Sequence, residues 1–170
     1  MSGSYTEADY EKSVMELFAG LGYTLLYGPD VERDVRSPLY DTVLEEQLWR
    51  LNPSLPNAAL TEALGQLRTI ENGALTHRNE IFMDYLQNGV PVRYFADGEE
   101  RSALVYLVDY QNSANNSFIA ANQWTVVENS EKRPDIILFL NGLPVVVIEL
   151  KSPAREETDA SEAYLQLRNY

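Results

Sequence analysis

The chain has 170 residues, of which 45% are hydrophobic, enough for one globular domain with an apolar core. It has no cysteine, which excludes disulfides and thiolate metal sites. Its N-terminus is polar, and no apolar run approaches the roughly 18 residues that span a bilayer, so the sequence predicts a cytoplasmic, non-membrane protein. The net charge of −13, from 13 Lys and Arg against 26 Asp and Glu, argues against binding nucleic acid by bulk electrostatic attraction.

The first predicted element is an amphipathic helix over residues 6–21. Ser4 and Glu7 have the spacing of a capping box, and Gly22 is a stop signal. Apolar residues recur between them at helical period, namely Val14, Leu17, Phe18 and Leu21. Glu11 falls one turn before Val14 and therefore lies at the margin of the buried stripe.

The middle of the chain changes from helical to strand-like patterns. Residues 41–88 predict three short helices separated by Pro- and Gly-containing breaks. VPVRYF and ALVYLVDY then flank Asp97-Gly98, which predicts a hairpin, and NQWTVV at 122–127 predicts a further strand. Helical spacing returns over about 156–170.

The most informative stretch is RPDIILFLNGLPVVVIELKSP, at 133–153. Two apolar runs flank Asn141-Gly142-Leu143-Pro144, a turn signal that predicts an antiparallel hairpin. Centring the turn on Gly142 gives three facing pairs: Ile137 with Val147, Phe139 with Val145, and Asp135 with Glu149. A different turn type would shift this register by a residue or two.

The charged residues of this hairpin suggest a metal site. Facing carboxylates at Asp135 and Glu149 would destabilise a sheet unless their charge is compensated. Mg²⁺ compensates it well, since it takes carboxylate, water and phosphate oxygens. Lys151, on the same face as Glu149, could stabilise negative charge or orient a water, which is the chemistry of phosphodiester hydrolysis. The alternative is an ordinary strand-end ion pair without function.

Several motifs carry a resemblance to a known family. Arg133-Pro134-Asp135 followed by Glu149-x-Lys151 resembles the PD-(D/E)xK nuclease superfamily. The fuller pattern resembles the N-terminal nuclease domain of the restriction (HsdR) subunit of type I restriction-modification enzymes, over nearly the whole chain. Its further matching segments are Asn52-Pro53, Gly89-Val90-Pro91-Val92, Leu107-Val108-Asp109-Tyr110, Asn122-Gln123, Asn141-Gly142-Leu143-Pro144 and Ile148-Glu149-Leu150-Lys151.

The resemblance implies both a fold and a reaction. The fold is α/β (α+β), a restriction-endonuclease-like core with a mixed central sheet flanked by helices and a helical insertion at about 41–88. The reaction is Mg²⁺-dependent endonucleolytic hydrolysis, with Mn²⁺ able to substitute. Asp135 and Glu149 would be metal ligands, and Lys151 would stabilise charge or orient water.

Two further positions enter through the same resemblance. Gln166 and Tyr170 match the family's Q-x3-Y motif and lie i and i+4 on one helical face, from which they could hydrogen-bond a phosphate or the carboxylates. An acid of the first helix completes the metal site in this family. Glu11 is the predicted residue, and Glu7 and Glu16 remain alternatives.

Two other residues are predicted to lie outside the site. His77, the only histidine, is too isolated for His-based catalysis and is expected to be structural or exposed. Asp109, at the end of a strand pattern, is a weaker acidic candidate.

The chain contains no G-x4-G-K-[ST] phosphate loop, so ATP would act only through motor domains elsewhere. Residues 1–170 are therefore expected to form a single endonuclease domain, the N-terminal part of a longer motor-containing subunit. Expected partners are double-stranded DNA and the methylation and specificity subunits of the complex. The alternatives are a non-catalytic acidic interaction module, such as a DNA mimic on a nuclease-like fold, and another nuclease of the same superfamily.

Overall fold

The computed structural model describes residues 6–70, 74–127, 130–151 and 160–168. Its helices are α1 (Glu7–Gly20), α2 (Asp41–Leu51), α3 (Asn57–Arg68), α4 (Leu75–Asn88) and α5 (Ala160–Arg168). Its strands are β1 (Thr24–Tyr27), β2 (Val90–Ala96), β3 (Glu99–Val105), β4 (Phe118–Asn122), β5 (Val126–Val127), β6 (Glu131–Lys132), β7 (Ile136–Leu140) and β8 (Leu143–Ile148). Short 3₁₀ turns lie at Gly28–Asp30 and Ser113–Asn115. Within the described residues, no helix is long and apolar enough to cross a membrane.

The chain forms two compact units. Unit 1 comprises residues 1–40 and 118–170, and unit 2 comprises residues 41–117. The single domain predicted over 1–170 stays a prediction beside this division.

Unit 1 is built on a four-stranded sheet with the order β1-β4-β7-β8. β1 pairs with β4 in parallel, whereas β4–β7 and β7–β8 are antiparallel, so the sheet is mixed. Helix α1 packs on it through Met15, which lies in a buried cluster with Ala120, Ile136 and Leu138. The predicted α/β (α+β) fold with a mixed central sheet flanked by helices is confirmed.

The N-cap of helix α1 is Thr6, two residues after the predicted Ser4. The Thr6 hydroxyl accepts the Asp9 N–H at 3.2 Å, and the Asp9 carboxylate accepts the Thr6 N–H at 2.9 Å. In a capping box the side chain of the third helical residue bonds back to the N-cap, and here that residue is Asp9, because the helix begins at Glu7. The predicted Ser4–Glu7 capping box is therefore wrong. Ser4 itself lies outside the described residues.

The β7–β8 hairpin confirms the predicted turn and corrects part of the register. Asn141 and Gly142 have φ of 53° and 83° and connect the paired residues Leu140 and Leu143, as in a two-residue type I′ turn. The Ile137–Val147 pair is confirmed. Phe139, however, faces Pro144 and not Val145, because the turn is shorter than predicted and a bulge beside Leu138 restores the outer register.

The strand predicted over 122–127 is wrong as a single element. β4 ends at Asn122 because Gln123 has a left-handed φ of 55°, which takes the chain out of the sheet. Residues Val126–Val127 form the separate short strand β5 with β6. Strand β1, which forms one edge of the main sheet, was not predicted.

Unit 2 contains the three predicted helices, α2 to α4, and the predicted hairpin β2–β3. The hairpin turns at Asp97-Gly98, where both residues have positive φ. Buried Asn52 ties the end of α2 to the end of β3, since its side chain donates to the Tyr106 carbonyl at 2.9 Å and accepts the Tyr106 N–H at 2.8 Å.

Candidate active site

The predicted site residues of unit 1 meet at one end of the main sheet. Asp135 directly precedes β7, and Glu149 and Lys151 follow β8, its antiparallel neighbour. Asn122 and Gln123 lie at the end of β4, on the other side of β7. Glu11 reaches this end from α1.

Asp135 is a half-buried carboxylate under competing influences. Its Oδ2 accepts the backbone N–H of Leu150 at 2.7 Å. Burial raises the pKa of the Asp135 carboxyl, and the Leu150 hydrogen bond opposes that rise. The negative charge of Glu11 raises this pKa further, the Lys151 ammonium lowers it, and the negative charge of Glu7 raises it less.

Glu149 follows the last pair of the β7–β8 ladder. Ile136 pairs with Ile148, so Asp135 and Glu149 are the next residues on the two strands, just outside the ladder. The bond from the Leu150 N–H to Asp135 shows that the two segments stay together beyond this pair. A facing pair of Asp135 and Glu149 stays a prediction.

Glu11 is fixed by two side-chain amides. Asn122 Nδ2 donates to Glu11 Oε1 at 2.6 Å, and Gln123 Nε2 donates to Glu11 Oε2 at 2.8 Å. Glu16, by contrast, is exposed and lies 3.9 Å from Lys12 on the solvent side of α1. The structure therefore brings Glu11 to the site and leaves Glu16 exposed to solvent. Glu7, whose charge also acts on Asp135, stays an alternative, and the role of Glu11 as a metal ligand stays a prediction.

The amide pair was not predicted as part of the site. Asn122 and Gln123 matched the family pattern, but their sequence gives no indication that they face a helix more than a hundred residues away. The contact depends on the parallel pairing of β1 with β4, which brings the start of the chain beside β4.

Lys151 contacts the last helix. Its Nζ donates to Gln166 Oε1 at 2.6 Å, which joins the end of β8 to α5. The two predicted residues Lys151 and Gln166 are thus brought together. Tyr170, the other half of the Q-x3-Y motif, lies outside the described residues.

The remaining candidates lie in unit 2. His77 is exposed, as expected, and lies 3.5 Å from Glu80. Asp109 belongs to a loop, where the Asn115 amide and the backbone N–H groups of Asn112 and Gln111 hold its pKa below the ordinary value. These hydrogen bonds give Asp109 a structural role in its loop.

The carboxylates at this end of the sheet can be compared with the needs of a divalent cation. Among the described residues, no three or more His, Asp or Glu side chains are grouped so that they could hold a metal ion. Mg²⁺ does not need such a group, because it is usually bound through one or two carboxylates, several waters and substrate phosphates. The half-buried Asp135 and the Glu11 that Asn122 and Gln123 hold at the same end of the sheet offer the carboxylate oxygens that Mg²⁺ takes.

These observations define an α+β domain with interacting carboxylates, a lysine and amide side chains at one end of a mixed sheet. The chain matches the family model described as type I restriction enzyme R protein N terminus over residues 4–170, and it belongs to that family.

Relatives agree with this assignment. The chain is 34% identical over 174 residues to the type I restriction enzyme HindI endonuclease subunit of Haemophilus influenzae, covering 96% of this chain and 16% of that protein. It is 30% identical over 164 residues to the putative type I restriction enzyme MjaIXP endonuclease subunit of Methanocaldococcus jannaschii, covering 91% of this chain and 16% of that one. The chain thus spans about a sixth of the length of these relatives.

Proposed function

We propose that this chain is the Mg²⁺-dependent endonuclease domain of a type I restriction subunit, which hydrolyses phosphodiester bonds of double-stranded DNA. Cleavage would follow ATP-driven translocation by motor domains outside these 170 residues. Family membership supports the subunit assignment. The observation that carries the proposed chemistry is geometric: Asp135 before β7, Lys151 after β8 and Glu11, held by the amides at the end of β4, lie at one end of the same sheet.

Each charged residue has a proposed task. Asp135 and Glu149 would hold Mg²⁺, and Mn²⁺ would substitute for it. Glu11 would complete the site only if the cation draws it in, since the described residues do not already group three acids. The bound cation supplies Lewis acidity, which polarises a phosphate oxygen and lowers the pKa of an attacking water. The Lys151 ammonium stabilises negative charge that develops on the phosphate or orients the water, and Gln166 fixes that ammonium by its 2.6 Å hydrogen bond.

The net charge of −13 bears on how DNA would reach the site. A domain this acidic repels the phosphate backbone, so DNA must be brought to it by other parts of the enzyme. We propose that the motor domains, together with the methylation and specificity subunits, hold double-stranded DNA against this end of the sheet.

The first test is Mg²⁺ and Mn²⁺ binding by calorimetry to the wild type, Asp135→Ala and Glu149→Ala. Saturable binding that both substitutions abolish would support a carboxylate metal site. Glu16→Ala is the matched control, because this exposed acid on α1 faces away from the site and its loss should leave binding unchanged. Equal weak binding by all four proteins would contradict the proposal and favour the non-catalytic acidic module.

A second test addresses the lysine in the complete enzyme. Lys151→Ala, introduced into the full-length restriction subunit and assembled with its partners, should abolish DNA cleavage while ATP hydrolysis continues. Cleavage at the wild-type rate would show that the ammonium is not required for hydrolysis. Loss of both DNA cleavage and ATP hydrolysis would indicate an assembly defect. The matched control is Lys132→Ala in the β5–β6 ribbon, which removes a lysine away from the site and should leave both activities unchanged.

A further inference from the structure

The Asn122–Gln123 pair at the end of β4 holds the Glu11 carboxylate by both of its oxygens. The two donor–acceptor distances are 2.6 Å from Asn122 Nδ2 and 2.8 Å from Gln123 Nε2. We propose that Asn122 and Gln123 are positioning residues, which orient the Glu11 carboxylate toward a divalent cation. This inference rests on the metal-dependent function proposed above.

The chemistry of the contact suits a residue that acts through a metal ligand. An ionised carboxylate has about four lone-pair sites, and two amide donors occupy about two of them. Oxygen lone pairs therefore remain for a cation while the carboxylate is kept from rotating. Hydrogen bonds to a ligating carboxylate commonly contribute about 10–100-fold to metal affinity, because they fix the ligand before the metal arrives.

The backbone conformation of Gln123 sets the direction of its side chain. Gln123 has a left-handed φ of 55°, which is uncommon for a residue with a Cβ. Such conformations persist where the surroundings impose them, and they cluster at functional sites. Without this conformation β4 would continue and the Gln123 side chain would take the direction set by strand alternation.

Two contacts impose the conformation. The Gln123 N–H donates to the Asp135 carbonyl at 3.2 Å. Gly28 packs directly on the Gln123 peptide, so closely that a Cβ at this glycine would lie 2.6 Å from the Gln123 carbonyl oxygen. Gln123 thus contacts both acid-bearing residues, Glu11 through its side chain and Asp135 through its main chain.

A purely structural role would use the same hydrogen bonds differently. In that case the amides would only attach α1 to the sheet, and their loss would lower stability without acting on the metal through Glu11. The two roles are separated by metal affinity measured in a double-mutant cycle, because a positioning residue has nothing to position once Glu11 is removed.

The experiment measures Mn²⁺ binding to the whole chain by calorimetry. Gln123→Gly is the main variant, since glycine adopts the left-handed φ without strain and only the side chain is lost. Asn122→Ala is the second variant, and Gln111→Ala, which removes an exposed amide from a loop of unit 2, is the control. Circular dichroism and urea unfolding establish that each variant is folded.

We expect Gln123→Gly and Asn122→Ala each to raise the Mn²⁺ dissociation constant by about 10–100-fold, with Gln111→Ala unchanged. In a Glu11→Ala background, Gln123→Gly should weaken binding no further. The positioning role is overturned if the folded variants bind Mn²⁺ within about twofold of the wild type, or if Gln123→Gly weakens binding equally with and without Glu11. Wild-type protein that fails to bind Mn²⁺ would overturn the proposed metal function and this inference together.

Discussion

Replacement of Gly28 by alanine tests the packing beneath the site. A Cβ at this position would lie 2.6 Å from the Gln123 carbonyl oxygen and 2.9 Å from both the Gln123 carbonyl carbon and the Trp124 Cα. All three neighbours are backbone atoms, so no flexible side chain can move aside. The methyl group must therefore displace the peptide that carries Gln123.

The cost follows from two opposing effects. Forcing an extra methyl into a packed region costs about 1–3 kcal/mol. Replacing glycine restricts the unfolded chain and returns about 0.4–1 kcal/mol, because the φ of Gly28 lies outside the left-handed region and alanine can adopt it. We expect a net loss of about 1–2 kcal/mol, or a urea midpoint lower by about 0.5–1 M for a slope near 2 kcal/mol/M.

Tryptophan fluorescence during urea unfolding measures this loss. Trp124 is fully buried beside the Gln123 peptide, whereas Trp49 in unit 2 is 48% exposed. A Trp49→Phe background therefore makes the signal report on unit 1. Gly20→Ala is the matched control, because a Cβ there meets nothing within 4 Å and should stabilise the end of α1 by about 0.5–1 kcal/mol. A Gly28→Ala midpoint equal to that of Gly20→Ala would refute the close packing of Gly28 on Gln123.

Three further substitutions have expected outcomes. Burial raises the pKa of Asp135 above its ordinary value of 3.8, so its ionised form destabilises the folded state. Asp135→Asn should therefore be more stable than the wild type in urea at pH 7, and the difference should shrink as the pH falls through the raised pKa and vanish below 3.8. Asn52→Ala should lower the free energy of unfolding by about 2–3 kcal/mol, because it removes the hydrogen-bond partners of both main-chain groups of Tyr106. Thermal melts followed by circular dichroism measure this loss, and a value below about 0.5 kcal/mol would mean that water replaces the side chain. Arg33→Met should lower the free energy of unfolding by about 1–2 kcal/mol and alter Trp124 fluorescence, because the Arg33 guanidinium lies 3.7 Å from the centroid of the Trp124 ring. An unchanged fluorescence spectrum would argue against that contact.

The turns of this fold could be predicted because they depend on a few local residues. Asn141-Gly142 and Asp97-Gly98 adopt positive φ at low cost, so both hairpins followed from dipeptides. The number of turn residues is less well determined locally, which is why Phe139 was paired with the wrong partner.

The elements that were missed depend on distant contacts. β1 has four residues, and its partner β4 follows about ninety residues later, so nothing near it in the sequence marks it as a strand. The break at Gln123 involves backbone contacts with Gly28 and Asp135, both remote in the chain. A strand-like pattern continues through this position, and only the tertiary structure interrupts it.

Some residues of the candidate site could be predicted from local sequence and others could not. Asp135, Glu149 and Lys151 could be proposed together because one hairpin carries them, and the position of Glu11 at the margin of a helical stripe indicated its direction. The role of Asn122 could not be predicted, since an asparagine at the end of a strand has many uses and only its partner across the fold distinguishes them.

The way in which unit 2 interrupts unit 1 has a consequence for engineering. Tyr40, the last residue before the interruption, donates its N–H to the Gly142 carbonyl at 2.9 Å, and Phe118, at its other end, pairs with Leu140 in the sheet. Both ends are therefore anchored at the same hairpin turn, by main-chain contacts that do not involve residues 41–117. Chain ends that are fixed close together favour domain insertion and deletion. Exchanging the whole insert for a short glycine-rich linker is thus a direct route to a minimal domain that retains the sheet and its acidic end.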